Sequence, residues 1–530
     1  MKISNFKFQI LFFGIAILGL ALFLRIYNLL SIPIFADEAI YVRWSQVMRA
    51  VSTLRFLPLS DGKQPLFMWS VIPFLKVFED PLIAGRMVSA LSGTGSVIGI
   101  SVLTYILFKS WKTALIAGFL YAVSPFAVFF ERMALADAML SMFGIWSMVF
   151  AVLTAKYLRL DTAMLAGFAS GGALLTKSPG IFFLIILPAT IFLANLPKRL
   201  LSLTFIKLVG LWIVVGVIGY GLYNILRLGP EFHMIALRNQ DYVFPLSHAL
   251  TNPWDPLQFH VKEIIEWFWV LVPMTSLLAA VVAIILGWKK HWRVFLPLLA
   301  WLLAPLAIQA EYAKVFTARY LLFTIPPLFV LAALGITSVK LKTKTFWIVL
   351  ALVSLPSLYI DYLFLTAPQK APLPRVERSG YLELWTAGTG IREVAQFIKA
   401  EHEKDPNTQI VVGTEGYFGT LPDGLMIYVA DIPKVVVTGV GLSISTVSDP
   451  LYEAKKAGNK VYLVANTSRM EVAPEDLGYN VLASFPKATQ PSGKVESLLL
   501  LEVTKRSLKI AEDAKEKARK EQQKQDVNKK

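Results

Sequence analysis

Acidic and basic side chains recur at the ends of long apolar segments in this sequence, where they can do chemistry at a membrane surface. The stretch IFADEAIYVRW, residues 34–44, places two adjacent carboxylates, Asp37 and Glu38, shortly after the first apolar segment. A carboxylate in such a position can take a proton from a hydroxyl group. Lys63, in the stretch DGKQPLFMW, can anchor the chain at the headgroup level or grip a lipid phosphate.

The chain that must position these groups has 530 residues, of which 55% are hydrophobic and only 17% charged. Its mean hydropathy of +0.58 is too high for one soluble core and predicts a mainly α-helical, polytopic membrane protein. The absence of cysteine excludes disulfide bonds, thiolate metal sites and cysteine nucleophiles. The formal net charge of +16 does not indicate a nucleic-acid partner, because much of the excess lies in short loops and in residues 505–530.

The apolar segments predict eleven transmembrane helices. They cover residues 8–24, 82–107, 114–130, 136–158, 162–177, 181–196, 205–227, 263–287, 294–310, 319–338 and 345–365. Every second loop is basic, with Lys2, Lys7, Lys109, Lys112, Lys156, Arg159, Lys198, Arg199, Lys207, Lys289, Lys290, Arg293, Lys340, Lys342 and Lys344. The positive-inside rule therefore predicts a multi-pass protein of the plasma membrane with a cytoplasmic N-terminus and with everything after about residue 366 outside.

The other loops carry charges of mixed sign, many at or just inside the end of an apolar segment. These residues are Asp37, Glu38, Asp61, Lys63, Asp80, Glu131, Arg132, Asp137, Lys177, Asp241, His260, Glu311 and Arg319. Snorkelling or pairing between helices explains such residues individually. Their collection on one membrane face favours a polar cavity that opens outward.

The first outer loop, residues 25–81, predicts two helices. In residues 37–54, Ile40, Trp44, Val47 and Val51 recur at helical spacing, which predicts an amphipathic helix in the membrane interface. Asp37 then lies at the helix start, where a carboxylate can also simply cap free amides. Asp61-Gly62 is a turn signal, and Pro65 suits the start of a second short helix.

The second long outer loop, residues 229–262, is rich in proline and aromatic residues and is expected to pack over the cavity mouth. Asp241 and His260 are its candidate ligands or acceptor contacts. Neither has a partner at a recognisable metal spacing, so no metal site is predicted.

Beyond a proline-rich linker at residues 366–380, the composition becomes that of a soluble domain, predicted over residues 381–504. A helix near 391–403 and the β-rich runs QIVVG, KVVVTGV, KVYLVAN and SLLLLEV predict a small α/β fold. The stretch VGTEGYFGTLPDGLMIYV, residues 412–429, is either a turn-rich packing loop or a surface that binds an acceptor or carbohydrate. The tail, residues 505–530, has the composition of a solvated helix or a disordered segment.

Six stretches in a fixed order carry a family resemblance: IFADEAIYV, DGKQPLFMW, AGRMVSALSG, FFERMALADAML, LLTKSPGIFFL and ARYLLFTIPPL. Together they resemble the membrane glycosyltransferases of the C fold, within these the superfamily of dolichyl-phosphate-mannose protein mannosyltransferases and aminoarabinose transferases in its bacterial form. The resemblance covers about residues 1–365. No WWD-type acceptor motif is present, which argues against an oligosaccharyltransferase, and the acceptor stays open.

The resemblance implies an outward-facing active site fed by a polyprenyl-phosphate sugar. It implies Asp37 as the catalytic residue, with Glu38 completing the pair, and Lys63, Arg319 and Arg132 as ligands of the donor phosphate. Supporting or acceptor-binding roles fall to Asp137, Arg86, Lys177, Asp241 and His260. No cofactor beyond this donor substrate is predicted, although a divalent metal is not excluded.

The expected activity is transfer of the sugar, with inversion and with Asp37 as base, to a hydroxyl of a protein, lipid or cell-envelope glycan. The expected partners are the bilayer, the lipid-linked sugar and that acceptor. A polytopic transporter or lipid flippase is the alternative, because it too has many spans and intramembrane charges. Transporters are typically built from internal repeats, and no convincing repeat is found in this sequence. A non-catalytic scaffold is the third possibility.

Overall fold

A computed structural model shows a mainly helical chain with one small sheet near its C-terminus. It describes residues 5–195, 197, 202–339 and 342–528. Four residues of the predicted basic loops, Lys2, Lys198, Arg199 and Lys340, lie outside this range, as do the last two residues of the tail.

The helices up to residue 366 follow the apolar segments. They are α1 Asn5–Ile26, α2 Ala36–Ala50, α3 Leu66–Phe74, α4 Pro81–Phe108, α5 Trp111–Ala122, α6 Pro125–Glu131, α7 Ala136–Tyr157, α8 Leu160–Thr176, α9 Ile181–Ile186, α10 Leu203–Tyr223, α11 Met234–Tyr242, α12 Leu246–Thr251, α13 Leu257–Leu271, α14 Met274–Tyr312, α15 Pro326–Ser338 and α16 Thr343–Thr366. Both predicted helices of the first outer loop are present as α2 and α3. The second outer loop is largely helical, with α11, α12 and the start of α13.

Within the described residues, six helices are long and apolar enough to cross a membrane, or seven if α5 and α6, bent by 57°, form one span. The predicted spans at 181–196 and 319–338 correspond to shorter apolar helices, Ser178–Leu193 and Pro326–Ser338. Length and composition therefore establish a multi-pass architecture, with fewer candidate spans among the described residues than the eleven predicted.

The predicted pair of spans at 263–287 and 294–310 is wrong. Helix α14 runs without interruption from Met274 to Tyr312, through the residues expected to form a basic loop. The break comes earlier, at Val272, which is extended, and Pro273. Pro273 caps the start of α14, where an amide hydrogen has no partner within the helix, whereas the Lys-Lys-His sequence consists of residues that a helix accommodates. The same helix also continues through Pro297 and Pro305.

Two compact units make up the chain. The first comprises Met1–Ser31, Val47–Glu79 and Ile83–Pro374, and the second comprises Ile32–Gln46, Asp80–Leu82 and Arg375–Lys530. In the first unit, small residues let helices approach closely: a Cβ on Gly171 of α8 would lie 2.5 Å from Leu222 of α10. Such contacts favour helix association in lipid, where there is no hydrophobic force between apolar helices.

A fully buried ion pair joins α1 to α6 in the first unit. Arg25 lies 2.6 Å from Glu131, and neither side chain is exposed. Arg25 also donates to the Ala21 and Ala122 carbonyl oxygens, and the Tyr121 hydroxyl donates to Glu131 at 2.6 Å. A charge in an apolar interior is tolerated only when it is paired and hydrogen bonded, and this pair meets that condition.

The second unit contains a five-stranded sheet of order β2-β1-β3-β5-β4. Its strands are β1 Ile410–Glu415, β2 Val435–Gly441, β3 Lys460–Asn466, β4 Asn480–Pro486 and β5 Ser497–Glu502. The first three are parallel, and β5 pairs antiparallel with both β3 and β4. All four predicted strands are found, and β4 was missed because this largely exposed edge strand lacks an apolar run.

The helices of this unit are α17 Arg375–Arg378, α18 Ile391–Lys404, α19 Asp423–Val429, α20 Asp449–Lys456 and α21 Lys505–Asn528. The segment 32–46 is part of the same unit. The Gly388 amide donates to the Ile34 carbonyl at 2.7 Å, and Gln46 Nε2 donates to the Ile427 carbonyl at 2.8 Å. The first two-thirds of α2 are thereby fixed against α19 and the chain that leads into α18.

Replacing Arg25 with Met should destabilise the protein strongly. The change leaves Glu131 as an unpaired carboxylate in an apolar interior, which costs about 3–5 kcal/mol of unfolding free energy. Thermal unfolding of the purified protein in detergent measures the loss.

The matched control is Arg159→Met, because Arg159 and its partner Asp161 are 65% and 56% exposed. Loss of an exposed pair is expected to cost about 0–1 kcal/mol. Equal destabilisation by the two changes would contradict a special role for the buried pair.

Candidate functional site

The two carboxylates of the opening stretch lie in different environments at the start of α2. Glu38 is fully buried and accepts a hydrogen bond from the Phe35 amide at 3.0 Å. This contact is one half of a capping box, in which the third residue of a helix bonds back to the residue before its start. Asp37 is partly exposed. Glu38 thus makes a capping contact in the interior, and the more exposed Asp37 is the better placed of the two to meet a ligand.

In the first unit, Lys63 is held by a network of four charged residues. Its ammonium lies 2.8 Å from Asp61, which also pairs with Arg238 at 2.5 Å. Arg238 in turn lies 2.9 Å from Asp241, and its hydrogen bond to Asp61 raises its pKa. Two predicted residues, Lys63 and Asp241, are therefore joined through Asp61 and Arg238, which the sequence analysis did not assign to the site.

The turn before Lys63 requires glycine. Gly62 has φ +69°, in the left-handed region that residues with a Cβ rarely adopt. A Cβ there would lie 2.6 Å from the Cβ of Arg238 and 2.9 Å from the Met234 carbonyl oxygen. The absence of a side chain at residue 62 thus lets α11 approach the turn and form the Asp61–Arg238 pair.

A second charged cluster of the first unit is centred on the ring of Tyr320. Lys177 lies 2.6 Å from Asp137 and 4.1 Å from the centre of that ring. The Arg319 guanidinium lies 5.3 Å from the same centre. Asp137 thus pairs with Lys177: helix α7 carries Asp137 in its first turn, whereas Arg132 follows the end of α6.

One hydrogen bond connects the two clusters of the first unit. Gln64, which follows Lys63, donates to the hydroxyl of Ser178, which follows Lys177, at 2.8 Å. Gln64 is 4% exposed, so its amide is committed to this contact. The Lys63 and Lys177 segments are therefore fastened to each other, and their cations are suited to hold an anionic group such as a phosphate.

The side chains of Arg132 and Arg86 bind backbone carbonyl groups near the end of α1. Arg132, 1% exposed, donates to the carbonyl oxygens of Leu24 and Tyr27 at 2.8 Å and of Asn28 at 2.9 Å. Arg86 donates to the carbonyl of Leu29. These contacts satisfy the carbonyls left open where α1 ends. They favour a positioning role for Arg132 rather than the predicted contact with the donor phosphate.

Three charged residues of the first unit lie in its interior, Arg25, Glu131 and Asp361; the sequence analysis placed Glu131 among the outer charges and did not single out Arg25 and Asp361. All three are fully buried in the first unit. An ionisable residue inside an apolar segment is the signal that could have identified them. Asp361 in particular lies within the last predicted span.

The His260 side chain is packed in the interior of the first unit, against Ala310 and Phe316. It is 5% exposed, its Nδ1 lies 2.8 Å from the Ala310 carbonyl oxygen, and its ring lies 4.4 Å from that of Phe316. The predicted acceptor role of His260 has no support in these contacts. Across the part of the chain that the structure describes, no group of three or more His, Asp or Glu residues is arranged to hold a metal ion.

Comparison with known proteins bears on both the fold and this site. Residues 62–220 match the family model "Dolichyl-phosphate-mannose-protein mannosyltransferase", a range that includes Lys63, Arg132, Asp137 and Lys177. No curated protein matches the chain in sequence.

Two crystal structures of ArnT from Cupriavidus metallidurans are similar along nearly the whole chain. The apo state is 14% identical, covers 96% of this chain and 99% of that chain, and gives a TM-score of 0.58. The state bound to undecaprenyl phosphate is 15% identical, covers 94% of this chain and 99% of that chain, and gives a TM-score of 0.57. The predicted fold is confirmed by the likeness to these structures, and the match over residues 62–220 confirms a resemblance to the dolichyl-phosphate-mannose protein mannosyltransferases.

Replacing Gly62 with Ala should loosen the Lys63 turn. The left-handed conformation costs a residue with a Cβ about 1–2 kcal/mol, and the contacts with α11 add to this cost. Thermal unfolding in detergent should show a lower midpoint than for the unchanged protein.

Gly210→Ala is the control. Gly210 lies within α10, and a Cβ there meets nothing within 4 Å. This helical position should gain about 0.5–1 kcal/mol from alanine. A Gly62→Ala protein as stable as Gly210→Ala would contradict the requirement for glycine at the turn.

Proposed function

We propose that this protein is an integral membrane glycosyltransferase that moves a sugar from a polyprenyl-phosphate-linked donor to a hydroxyl acceptor. The observation that carries the proposal is the Gln64–Ser178 hydrogen bond, which fastens the Lys63 and Lys177 segments together within the range matched by the mannosyltransferase family model. The likeness to ArnT, one structure of which holds undecaprenyl phosphate, supports a polyprenyl phosphate as the carrier.

The proposed role of the cations is to bind the donor phosphate and stabilise it as it leaves. Sugar transfer breaks the bond between the anomeric carbon and the phosphate oxygen, and the electron pair stays on that oxygen. Preorganised positive charge is most useful where such negative charge develops. Lys63, Lys177 and Arg319 are the groups proposed for this work, with Asp61 and Asp137 orienting the two ammonium groups.

Asp37 is proposed as the base. The acceptor oxygen attacks the anomeric carbon, and its proton passes to the Asp37 carboxylate as the new bond forms. Attack opposite the departing phosphate inverts the anomeric centre and needs no covalent intermediate. A phosphate monoester is a stable leaving group, so no second carboxylate is required as acid, unlike in most glycosidases. The burial of Glu38 and its capping contact support the choice of Asp37.

The proposed topology places the N-terminus in the cytoplasm and the second unit outside the cell. The alternating basic loops support this orientation. The active site then opens to the outer face, where a hydroxyl of a protein, lipid or envelope glycan is the acceptor.

Replacing Asp37 with Asn should lower the transfer rate about 10²–10⁴-fold, the usual contribution of a general base. Transfer of radiolabelled sugar from a polyprenyl-phosphate donor to envelope extract, with the protein in lipid nanodiscs, measures the rate. Binding of polyprenyl phosphate should be unchanged. Asp431→Asn, at an exposed aspartate of the second unit, should keep the full rate. Full transfer by the Asp37 variant would remove it from catalysis, and solute transport without transfer would favour a transporter.

Single cysteines test the orientation, because the native chain has none. A membrane-impermeant maleimide added to right-side-out vesicles should label Lys456→Cys, in the second unit, and should leave Lys207→Cys, at the start of α10, unlabelled. After the vesicles are opened with detergent, both should react. The opposite pattern in sealed vesicles would reverse the proposed topology.

A further inference from the structure

A loop at residues 416–422 of the second unit, here called the aromatic loop, exposes two large rings. Tyr417 is 68% exposed and Phe418 is 49% exposed. The loop follows β1 and leads into α19. It is the stretch whose role the sequence left open between a packing loop and a ligand-binding surface. Its aromatic side chains do not lie in a core, which argues against the packing role.

The backbone of the aromatic loop is fixed on both sides. Gly416 and Gly419 have φ +72° and +114°, conformations that favour glycine. The Gly416 amide donates to the Gly441 carbonyl at 2.7 Å, and the Gly419 amide donates to Asp423 Oδ2 at 2.8 Å. The Tyr417 ring also packs against the backbone of Gly439, where a Cβ would lie 2.6 Å from its Cδ1. The rings are thus held in place while exposed, which lowers the entropic cost of ligand binding.

The aromatic loop contacts the helix that carries Asp37, and all the residues involved belong to the second unit. The ring centres of Phe418 and Trp44 are 5.8 Å apart. Trp44 is seven residues after Asp37 in α2, so the two residues share one face of the helix and are separated by about 10 Å along its axis. Phe418 therefore contacts α2 about two helical turns beyond the proposed base.

Polar groups adjoin the rings. Asp423, 9% exposed, accepts a hydrogen bond from the Gly419 amide of the aromatic loop. Burial raises the pKa of the Asp423 carboxyl, and the positive charge of Arg43, one residue before Trp44, acts in the opposite direction. Arg43 also donates to Gln46 at 3.3 Å. Sugar rings have apolar faces and hydroxyl-bearing edges, and binding sites for them combine aromatic surfaces with a few polar groups. The surroundings of Phe418 have both.

We infer that the aromatic loop binds the glycan part of the acceptor, with Tyr417 and Phe418 packed against sugar ring faces. This inference rests on the proposed function, and it narrows the acceptor to one that carries an oligosaccharide long enough to reach from Asp37 to Phe418. Because the proposed base takes its proton from the acceptor hydroxyl, a saccharide that runs from Asp37 to Phe418 is part of the acceptor. The rings recognise and position the acceptor and take no part in the chemical step.

Acceptor saturation curves test the inference with the full-length protein in lipid nanodiscs. The probes are envelope glycolipid extracted from cells that lack this chain and the water-soluble glycan released from it. Tyr417→Ala and Phe418→Ala should each raise the half-saturating acceptor concentration about tenfold, the equivalent of one aromatic contact. The rate at saturating acceptor should be unchanged. Phe418→Tyr, which keeps the ring, should behave like the native protein.

Trp385→Ala is the matched control, because Trp385 is an exposed aromatic residue of the same unit at 39%. It should leave the half-saturating concentration unchanged. The released glycan should inhibit transfer by the native protein and by Trp385→Ala, and should inhibit Tyr417→Ala only at about tenfold higher concentration.

Three results would overturn the inference. The first is an unchanged half-saturating concentration in both alanine variants. The second is an effect that disappears in detergent micelles, which would assign the rings to the membrane surface. The third is inhibition by envelope peptides instead of the released glycan.

Failure of the proposed function has a different signature, namely no transfer by the native protein to any fraction. In that case, binding of the released glycan to the full-length protein, followed by saturation-transfer NMR, still decides whether the aromatic loop binds saccharide. Equal binding of the released glycan by the native protein and by Tyr417→Ala would reject saccharide binding by the aromatic loop.

Discussion

The fold of the first unit depends on satisfying backbone carbonyls and charges where water is scarce. Helix α1 ends at Ile26, and the carbonyl groups near this end no longer have their partners within the helix. The guanidinium groups of Arg132 and Arg86, from two other segments, donate hydrogen bonds to these carbonyl groups. Because arginine carries its charge into the interior, acidic partners must accompany it, and Glu131 does so for Arg25. These contacts fix the point from which the chain continues toward Asp37.

In the candidate phosphate site, too, charged side chains are paired with groups of opposite charge. Each lysine has a carboxylate at hydrogen-bonding distance, Asp61 for Lys63 and Asp137 for Lys177. Arg238 pairs with both Asp61 and Asp241, and Arg319 lies beside the ring of Tyr320. The carboxylates hold the ammonium groups in place. Cations fixed in this way suit the proposed phosphate ligand, because long, flexible side chains need no prior rearrangement.

Local signals predicted most of the fold. Long apolar runs mark the membrane helices, and short apolar runs mark four of the five strands. Strands β1 and β3 are buried on both faces, which leaves a continuous apolar segment. Errors arose where two local signals competed. The basic residues at 289–293 were taken for a loop, yet helix α14 continues through them and the break lies at Pro273. The edge strand β4 has no such run, and pairing with β5 rather than composition makes it a strand.

The sequence by itself determined the class of the protein, its family resemblance and the residue types available for catalysis, because these depend on composition, periodicity and short motifs. Tertiary structure decided which charges meet. It paired Asp137 with Lys177, buried His260 against Ala310, and buried Glu38 with a hydrogen bond from the Phe35 amide while Asp37 stayed partly exposed. It also brought Phe418 to the helix that carries Asp37 across nearly four hundred residues of chain. Contacts over such separations depend on how the elements pack, and no local pattern records them.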